Sequence, residues 1–98
     1  MSASVTVHVE YCGGWGYAPR YRELRQMILA EVPAANVTGT AGRSTSFEVT
    51  VNGKCIFSKL AVGSFPSFEQ VVQECVKASK NMETSEVTEV QNSSCAIC

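Results

Sequence analysis

The sequence has no aspartate, and His8 is its only histidine. A Ser-His-Asp catalytic triad is therefore excluded, as are most metal sites that use histidine ligands. Charge of either sign is also scarce, since eight basic and nine acidic residues give a net charge of −1 and a pI of about 5.8. A nucleic-acid-binding domain normally carries a strongly positive surface. We therefore expect neither a nucleic acid nor a bound metal ion as a partner, and we expect His8 to be a surface residue.

Long hydrophobic runs are missing too. No N-terminal segment resembles a signal peptide, and no segment approaches the ~20 apolar residues of a transmembrane helix. The five cysteines are an odd number, which argues against a framework of structural disulfides. We therefore expect a cytoplasmic protein with reduced thiols. Among them, Cys55 and Cys75 fall within predicted strand and helix segments, where a reduced cysteine acts as a small hydrophobic residue.

The remaining composition suits one small domain, because 45% of the 98 residues are hydrophobic. Alternation of apolar and polar residues predicts strands, and helical spacing predicts helices. An Asn-Gly pair at residues 52–53 indicates a type I′ hairpin, and Ser67 begins a capping box. The predicted strands cover residues 5–11, 36–40, 45–51 and 54–60, and the predicted helices run over about 18–32 and from 68 onward, with a loop at 61–66.

The order β-α-β-β-β-α predicts an α/β fold of the α+β two-layer sandwich type. The strands alternate, so one sheet face should be covered and the other should face water. Both helices would then pack on the same face of a four-stranded mixed sheet. We assign residues 1–80 to this domain and residues 81–98, which are rich in Ser, Thr and Glu, to a flexible tail.

The turn after the first strand carries the clearest chemical signal. Cys12 is followed by two glycines and Trp15, just before a helix that Pro19 opens. A Cys-x-x-Cys turn at a helix start places one thiol near free backbone N–H groups and the positive end of the helix dipole, which lowers its pKa. Trp15 stands where the second sulfur or selenium would be. Cys12 is thus either a reactive monothiol, assisted by Arg20 and Arg22, or only a small residue in a tight turn.

These motifs resemble the selenoprotein W / Rdx family, whose members carry Cys-x-x-Sec or Cys-x-x-Cys at this turn on a thioredoxin-like fold. The resemblance rests on YCGGWGY at residues 11–17, on FEVTVNGK at 47–54, and on FSKL and GSFP at 57–60 and 63–66. The last run and the C-terminal Cys-x-x-x ending are most similar to the migration and invasion enhancer branch of that family.

The resemblance implies a redox role linked to glutathione or thioredoxin, without a bound cofactor, and interaction with 14-3-3-type proteins. Cys12 matches the family's redox cysteine, and Trp15 occupies the position of its selenocysteine or second cysteine. A tryptophan cannot form a disulfide or selenenylsulfide with Cys12. The Trp and Sec codons differ by one base, so one interpretation is that Trp15 replaces an original selenocysteine, by design, by substitution or by readthrough of the codon. Its ring is either exposed, where it can anchor a partner, or folded back over Tyr17 or Phe65.

The last four residues, Cys95 to Cys98, have three interpretations. As a Cys-a-a-X sequence they predict prenylation of Cys95, although Cys is an unusual final residue. As a Cys-x-x-Cys pair they could supply a resolving thiol for Cys12, and the third interpretation is an inert tail. Only Lys77 and Lys80 supply basic charge upstream, so prenylation would give weak membrane association.

Two functional hypotheses follow. The first is a thiol-redox protein that acts through Cys12 and is impaired by Trp15. The second is an adaptor with a thioredoxin-like fold that binds signalling proteins through Trp15 and residues 65–66 and is tethered to membranes by a lipid on Cys95.

Overall fold

A four-stranded mixed sheet with strand order β2-β1-β3-β4 organises the chain in the computed structural model, which describes residues 4–14 and 16–91. Strand β1 pairs parallel with β2 and antiparallel with β3, and β3 pairs antiparallel with β4. The predicted mixed sheet is therefore confirmed. The elements are β1 (Thr6–Cys12), α1 (Tyr17–Glu31), β2 (Asn36–Gly42), β3 (Phe47–Val51), β4 (Lys54–Ser58), α2 (Lys59–Val62) and α3 (Phe68–Ser79).

The core lies between one face of the sheet and the two long helices. Val7 and Val9 of β1 are fully buried, together with Leu24 and Ile28 of α1 and Val71 of α3. Each such side chain stabilises the fold by about 1.5–3 kcal/mol relative to an exposed position. The intervening residues of β1 at positions 6 and 8 are exposed. Both long helices thus cover the same face, as the alternating strand pattern predicts.

The turn between β3 and β4 has the backbone conformation that its sequence predicts. Asn52 and Gly53 have φ angles of 51° and 84°, the left-handed values that a type I′ turn requires. The Asn52 side chain also accepts a hydrogen bond from the backbone N–H of Thr6 at 2.8 Å. The hairpin is therefore tied to the start of β1.

The segment after β4 differs from the prediction, because the strand ends at Ser58 and the short helix α2 follows. The Ser58 hydroxyl accepts a hydrogen bond from the backbone N–H of Ala61 at 3.2 Å and so caps the helix. Gly63, with a φ of 91°, ends it. The predicted strand to residue 60 and loop from residue 61 are therefore wrong here. A helix of four residues is too short to show a helical period in the sequence.

Residues 82–91 belong to the predicted flexible tail, but in the structure they pack along the domain. Val87 is 5% exposed, and its backbone N–H donates to the carbonyl of Ile56 at 2.7 Å. Val90 forms a β-bridge with Pro66. This packing cannot be predicted from the sequence pattern, because it depends on backbone hydrogen bonds and on a few apolar side chains that are not periodically spaced. The rest of the predicted tail, residues 92–98, lies outside the described residues.

Candidate redox site

Cys12 is the last residue of β1, and its backbone N–H donates to the carbonyl of Ser46 at 2.9 Å. Helix α1 begins only at Tyr17, with Gly16 as its N-cap in a left-handed conformation. The thiol therefore lies at the end of the sheet, where the turn between β1 and α1 begins, and not at the helix N-terminus itself. Trp15 lies outside the described residues.

Local hydrogen-bond donors hold the pKa of the Cys12 thiol below its ordinary value. The largest effect comes from the backbone N–H of Gly14, which lies 3.3 Å from Sγ. The backbone of Thr45, the side chain of Ser44 and the charge of Lys59 lower the pKa further, whereas desolvation opposes them. Hydrogen bonds to the charged form of a thiol favour ionisation, and the side chain of Cys12 is only partly buried, so solvent can reach it.

The loop from Arg43 to Ser46 supplies two of these groups, the backbone of Thr45 and the side chain of Ser44. Thr45 has a φ of 62°, an unusual conformation for a β-branched residue and one that stores strain. Ser46 stabilises the loop, because its hydroxyl donates to the carbonyl of Arg43 at 2.7 Å and its N–H donates to the same oxygen at 3.1 Å. The two hydrogen bonds from Ser46 to Arg43 thus hold the loop in the conformation that Thr45 requires.

An ion pair fastens this loop to β1. The Arg43 guanidinium donates to both carboxylate oxygens of Glu10, at 2.9 and 3.0 Å, and the Arg43 backbone N–H donates to Glu10 at 2.8 Å. These bonds lower the pKa of Glu10 to about 2. Glu10 therefore carries its charge at any physiological pH and keeps the loop in place beside Cys12.

Lys59, the first residue of α2, supplies the positive charge that acts on Cys12. Its ammonium nitrogen lies 3.3 Å from the carbonyl oxygen of Thr45, 5.4 Å from the Tyr17 ring centroid and 5.3 Å from the Phe65 ring centroid. No local pattern indicates this contact, because α2 is too short to show a helical period and Lys59 is distant from Cys12 along the chain.

The arginines that the sequence suggested are placed differently. The Arg20 guanidinium lies 4.4 Å from the Phe65 ring centroid and donates to the side chain of Gln91 at 3.0 Å. Arg22 is exposed on α1. Neither arginine contributes to the lowered pKa of Cys12, so their predicted assistance is not found.

The other described cysteines differ from each other. Cys75 is fully buried in α3, and burial raises the pKa of its thiol to about 12, which agrees with the predicted packing role. Cys55 is exposed on β4, contrary to the prediction that it packs as a core residue. Cys95 and Cys98 lie outside the described residues, so their predicted lipidation or redox roles stay predictions.

Two other concave surfaces of the described residues differ from the surroundings of Cys12. A pocket of about 420 Å³ has His8, Cys55, Glu10 and Glu48 among its lining residues. An apolar groove of about 550 Å³ lies between α1 and α3, but no cysteine or histidine lines it. Within residues 4–14 and 16–91, no group of three or more His, Cys, Asp or Glu side chains is arranged to hold a metal ion. His8 is exposed, and its Nδ1 lies 2.9 Å from the hydroxyl of Thr38. In the same part of the chain, no helix has the length and apolar character needed to cross a membrane.

The fold and the site together define a thioredoxin-like domain that has a cysteine of lowered pKa at the end of its first strand. Residues 6–77 match the Rdx family. The chain is 33% identical to Migration and invasion enhancer 1 of Mus musculus over 84 residues, which cover 86% of this chain and 72% of the relative. It is 37% identical to Selenoprotein W of Danio rerio over 78 residues, which cover 76% of this chain and 91% of the relative. The chain therefore belongs to the Rdx family, as its motifs suggested.

Solved structures confirm the fold. A selenoprotein W-related protein from Vibrio cholerae superimposes with a TM-score of 0.68 at 22% identity, over 76% of this chain and 95% of that protein. A protein from Bordetella parapertussis gives a TM-score of 0.65 at 20% identity, over 74% of this chain and 94% of that protein. At this level of identity the superpositions establish the arrangement of strands and helices alone.

Proposed function

We propose that this chain is a monothiol redox protein in which Cys12 exchanges with glutathione. Membership of the Rdx family supports a thiol-redox role in general. The assignment to Cys12 and to glutathione goes further and rests on the surroundings of the thiol.

The contact that supports the proposal most directly is the hydrogen bond from the Gly14 N–H to Cys12 Sγ at 3.3 Å. A thiolate is the nucleophile in disulfide exchange, and hydrogen bonds to the charged form favour it. Cys55 is exposed, but among the described residues no backbone N–H donates to its sulfur. Its thiol instead donates to the carbonyl of Phe57 at 3.5 Å. Of these two accessible thiols, Cys12 has the surroundings of a nucleophile.

The proposed reaction is a balanced exchange. The Cys12 thiolate attacks one sulfur of glutathione disulfide, a Cys12–glutathione disulfide forms, and the other glutathione leaves as a thiolate. A second glutathione thiolate then attacks the glutathione sulfur of the adduct, which restores the Cys12 thiolate and glutathione disulfide. No further oxidant or reductant is needed.

Trp15 limits this chemistry in the proposed mechanism. A second cysteine or selenocysteine at that position would attack the mixed disulfide and release glutathione within the same molecule. Tryptophan has no group that can do so. The adduct on Cys12 therefore persists until an external thiol removes it, which impairs turnover compared with a dithiol site.

Intact-mass measurement of glutathione adducts tests the proposal. In a variant with Cys95→Ser and Cys98→Ser, we expect glutathione disulfide to add one glutathione first, and peptide mapping to place it on Cys12. Cys12→Ser in the same background should remove the fast adduct and leave slow modification of Cys55. Modification of Cys12 no faster than that of Cys55 would overturn the proposal.

A further inference from the structure

The ammonium group of Lys59 lies beside a packed pair of aromatic rings at the edge of the candidate redox site. It is 5.4 Å from the Tyr17 centroid and 5.3 Å from the Phe65 centroid, and the two centroids are 5.1 Å apart. We propose that Lys59, framed by Tyr17 and Phe65, is an anion subsite that makes Cys12 selective for small disulfides carrying carboxylates. This inference rests on the proposed exchange at Cys12 and adds the class of substrate that the site prefers.

The placement of Lys59 leaves hydrogen-bonding capacity for a ligand. An ammonium group has three N–H donors. Within residues 4–14 and 16–91, its one hydrogen bond goes to the carbonyl of Thr45 at 3.3 Å. The ring centroids of Tyr17 and Phe65, at 5.4 and 5.3 Å, hold the charge by cation–π attraction without using a donor. The remaining donors can bind a carboxylate.

The same loop residue connects Lys59 to the thiol. The carbonyl of Thr45 accepts the Lys59 hydrogen bond, and the backbone of Thr45 also acts on Cys12 Sγ. The next residue, Ser46, contacts Cys12 directly, because its carbonyl accepts the Cys12 backbone N–H at 2.9 Å. Lys59 and Cys12 therefore meet the same loop at adjacent residues. A disulfide whose sulfur approaches Cys12 brings a carboxylate a few bonds away into the neighbourhood of Lys59.

Two positive side chains meet at the Phe65 ring of this subsite. Arg20 stacks on the same Phe65 ring, at 4.4 Å from its centroid, and adds a second positive charge. The carboxylate of Glu48, on the adjacent strand, accepts hydrogen bonds from the Ser58 hydroxyl and from the Leu60 N–H. Glu48 is thus engaged at the start of α2, and no ion pair joins it to Lys59 among the salt bridges of the described residues.

Charge selectivity is measured with two disulfides of similar size, neutral 2-hydroxyethyl disulfide and dianionic 3,3′-dithiodipropionate. Both undergo the exchange described above, with one half joined to Cys12 and the other released as a thiolate. The rate of Cys12 modification is followed by mass in a background with Cys55, Cys95 and Cys98 replaced by Ser. The ratio of the anionic to the neutral rate reports the subsite and cancels any general change in Cys12 reactivity.

Lys59→Met should lower this ratio about fivefold, the order expected for loss of a partly exposed charge contact. Lys59→Arg should largely preserve the ratio. The matched control is Lys80→Met, which removes the same charge from an exposed position after α3 and should leave the ratio unchanged. Equal slowing of both disulfides in Lys59→Met, or the same drop in Lys80→Met, would overturn the subsite. Failure of the exchange proposal itself would appear separately, as slow reaction of the unaltered Cys12 with the neutral disulfide.

Discussion

The side-chain oxygen of Gln70 accepts a hydrogen bond from the backbone N–H of Glu89 at 2.8 Å. The same oxygen accepts the N–H of Thr88 at 3.2 Å. In a complete capping box, the backbone N–H of Ser67 would donate to the side chain of Gln70. Here it donates to the carbonyl of Glu89 at 2.8 Å instead. The side chain of Gln70 therefore holds the C-terminal segment on α3, while Ser67 caps the helix through its hydroxyl.

Gln70→Ala should release this segment. Loss of the two accepted hydrogen bonds is expected to reduce the free energy of unfolding by about 1 kcal/mol, because both lie near the surface. Urea unfolding measures the change, and amide hydrogen exchange at Thr88 and Glu89 should accelerate. The control is Gln73→Ala, an exposed residue on the same helix. Equal effects of the two substitutions would show that Gln70 does not anchor the segment.

Arg43→Gln should raise the pKa of Glu10 from about 2 toward its usual value of ~4.3, since the guanidinium is the largest cause of the shift. The rise should be partial, because the backbone N–H of residue 43 still donates to Glu10. An NMR titration of the Glu10 carboxyl carbon measures it. Arg22→Gln removes the same charge from an exposed position on α1 and should leave the titration unchanged.

The same ion pair predicts a pH dependence of stability. The folded-state pKa of Glu10 is lowered, so its contribution is present above the unfolded pKa of ~4.3 and is lost as pH falls toward about 2. The native chain should therefore lose stability over this window more steeply than Arg43→Gln. Parallel curves of unfolding free energy against pH would contradict the role of the pair.

Gly39→Ala should destabilise the sheet edge. A Cβ atom at this position would lie 2.5 Å from Cζ of the Tyr21 ring, well inside van der Waals contact. That ring stacks on Tyr11 with centroids 5.2 Å apart, so it cannot move without breaking a second contact. We expect a loss of about 1–3 kcal/mol of unfolding free energy in urea.

The comparison for this substitution is Gly13→Ala. A Cβ atom there would lie 3.7 Å from Cβ of Ala41, an ordinary contact, so the cost should be smaller. A loss at Gly39 no greater than that at Gly13 would show that Tyr21 adapts.

Trp15→Cys should convert the monothiol into a dithiol site. After glutathione disulfide adds to Cys12, the new thiol would attack the adduct, form an intramolecular disulfide and release glutathione. The product should lack the glutathione mass and be lighter than the reduced chain by two hydrogens. Trp15→Ser, which offers no thiol, should retain the adduct. A stable glutathione adduct in the cysteine variant would show that the two positions cannot meet.

The sequence was sufficient to predict the strands and helices whose apolar residues recur at a regular spacing. Val7 and Val9 alternate with polar residues and are buried, and Cys75 lies in the core on α3, as predicted. Helix α2 and residues 82–91 were missed, because neither has a period that a sequence can show. Their positions depend on single capping groups and backbone hydrogen bonds.

The candidate site was predicted only at its centre. The turn predicts Cys12 as the candidate residue, but apart from Gly14 the groups that act on its thiol come from other parts of the chain. The left-handed conformation of Thr45 has no signal in a Ser-Thr-Ser sequence, and Lys59 reaches the site only after β3 and β4 fold. Long-range contacts of this kind help to set the pKa of Cys12, and they cannot be predicted from local sequence patterns.

The pKa of Cys12 tests the central claim most directly. With Cys55, Cys95 and Cys98 replaced by Ser, and Cys75 buried, the rate of iodoacetamide alkylation against pH reports the Cys12 thiolate alone. Because the Gly14 N–H and its neighbours lower this pKa, the midpoint should fall clearly below the ~8.5 of a free cysteine. A midpoint at or above ~8.5 would contradict a nucleophilic role for Cys12.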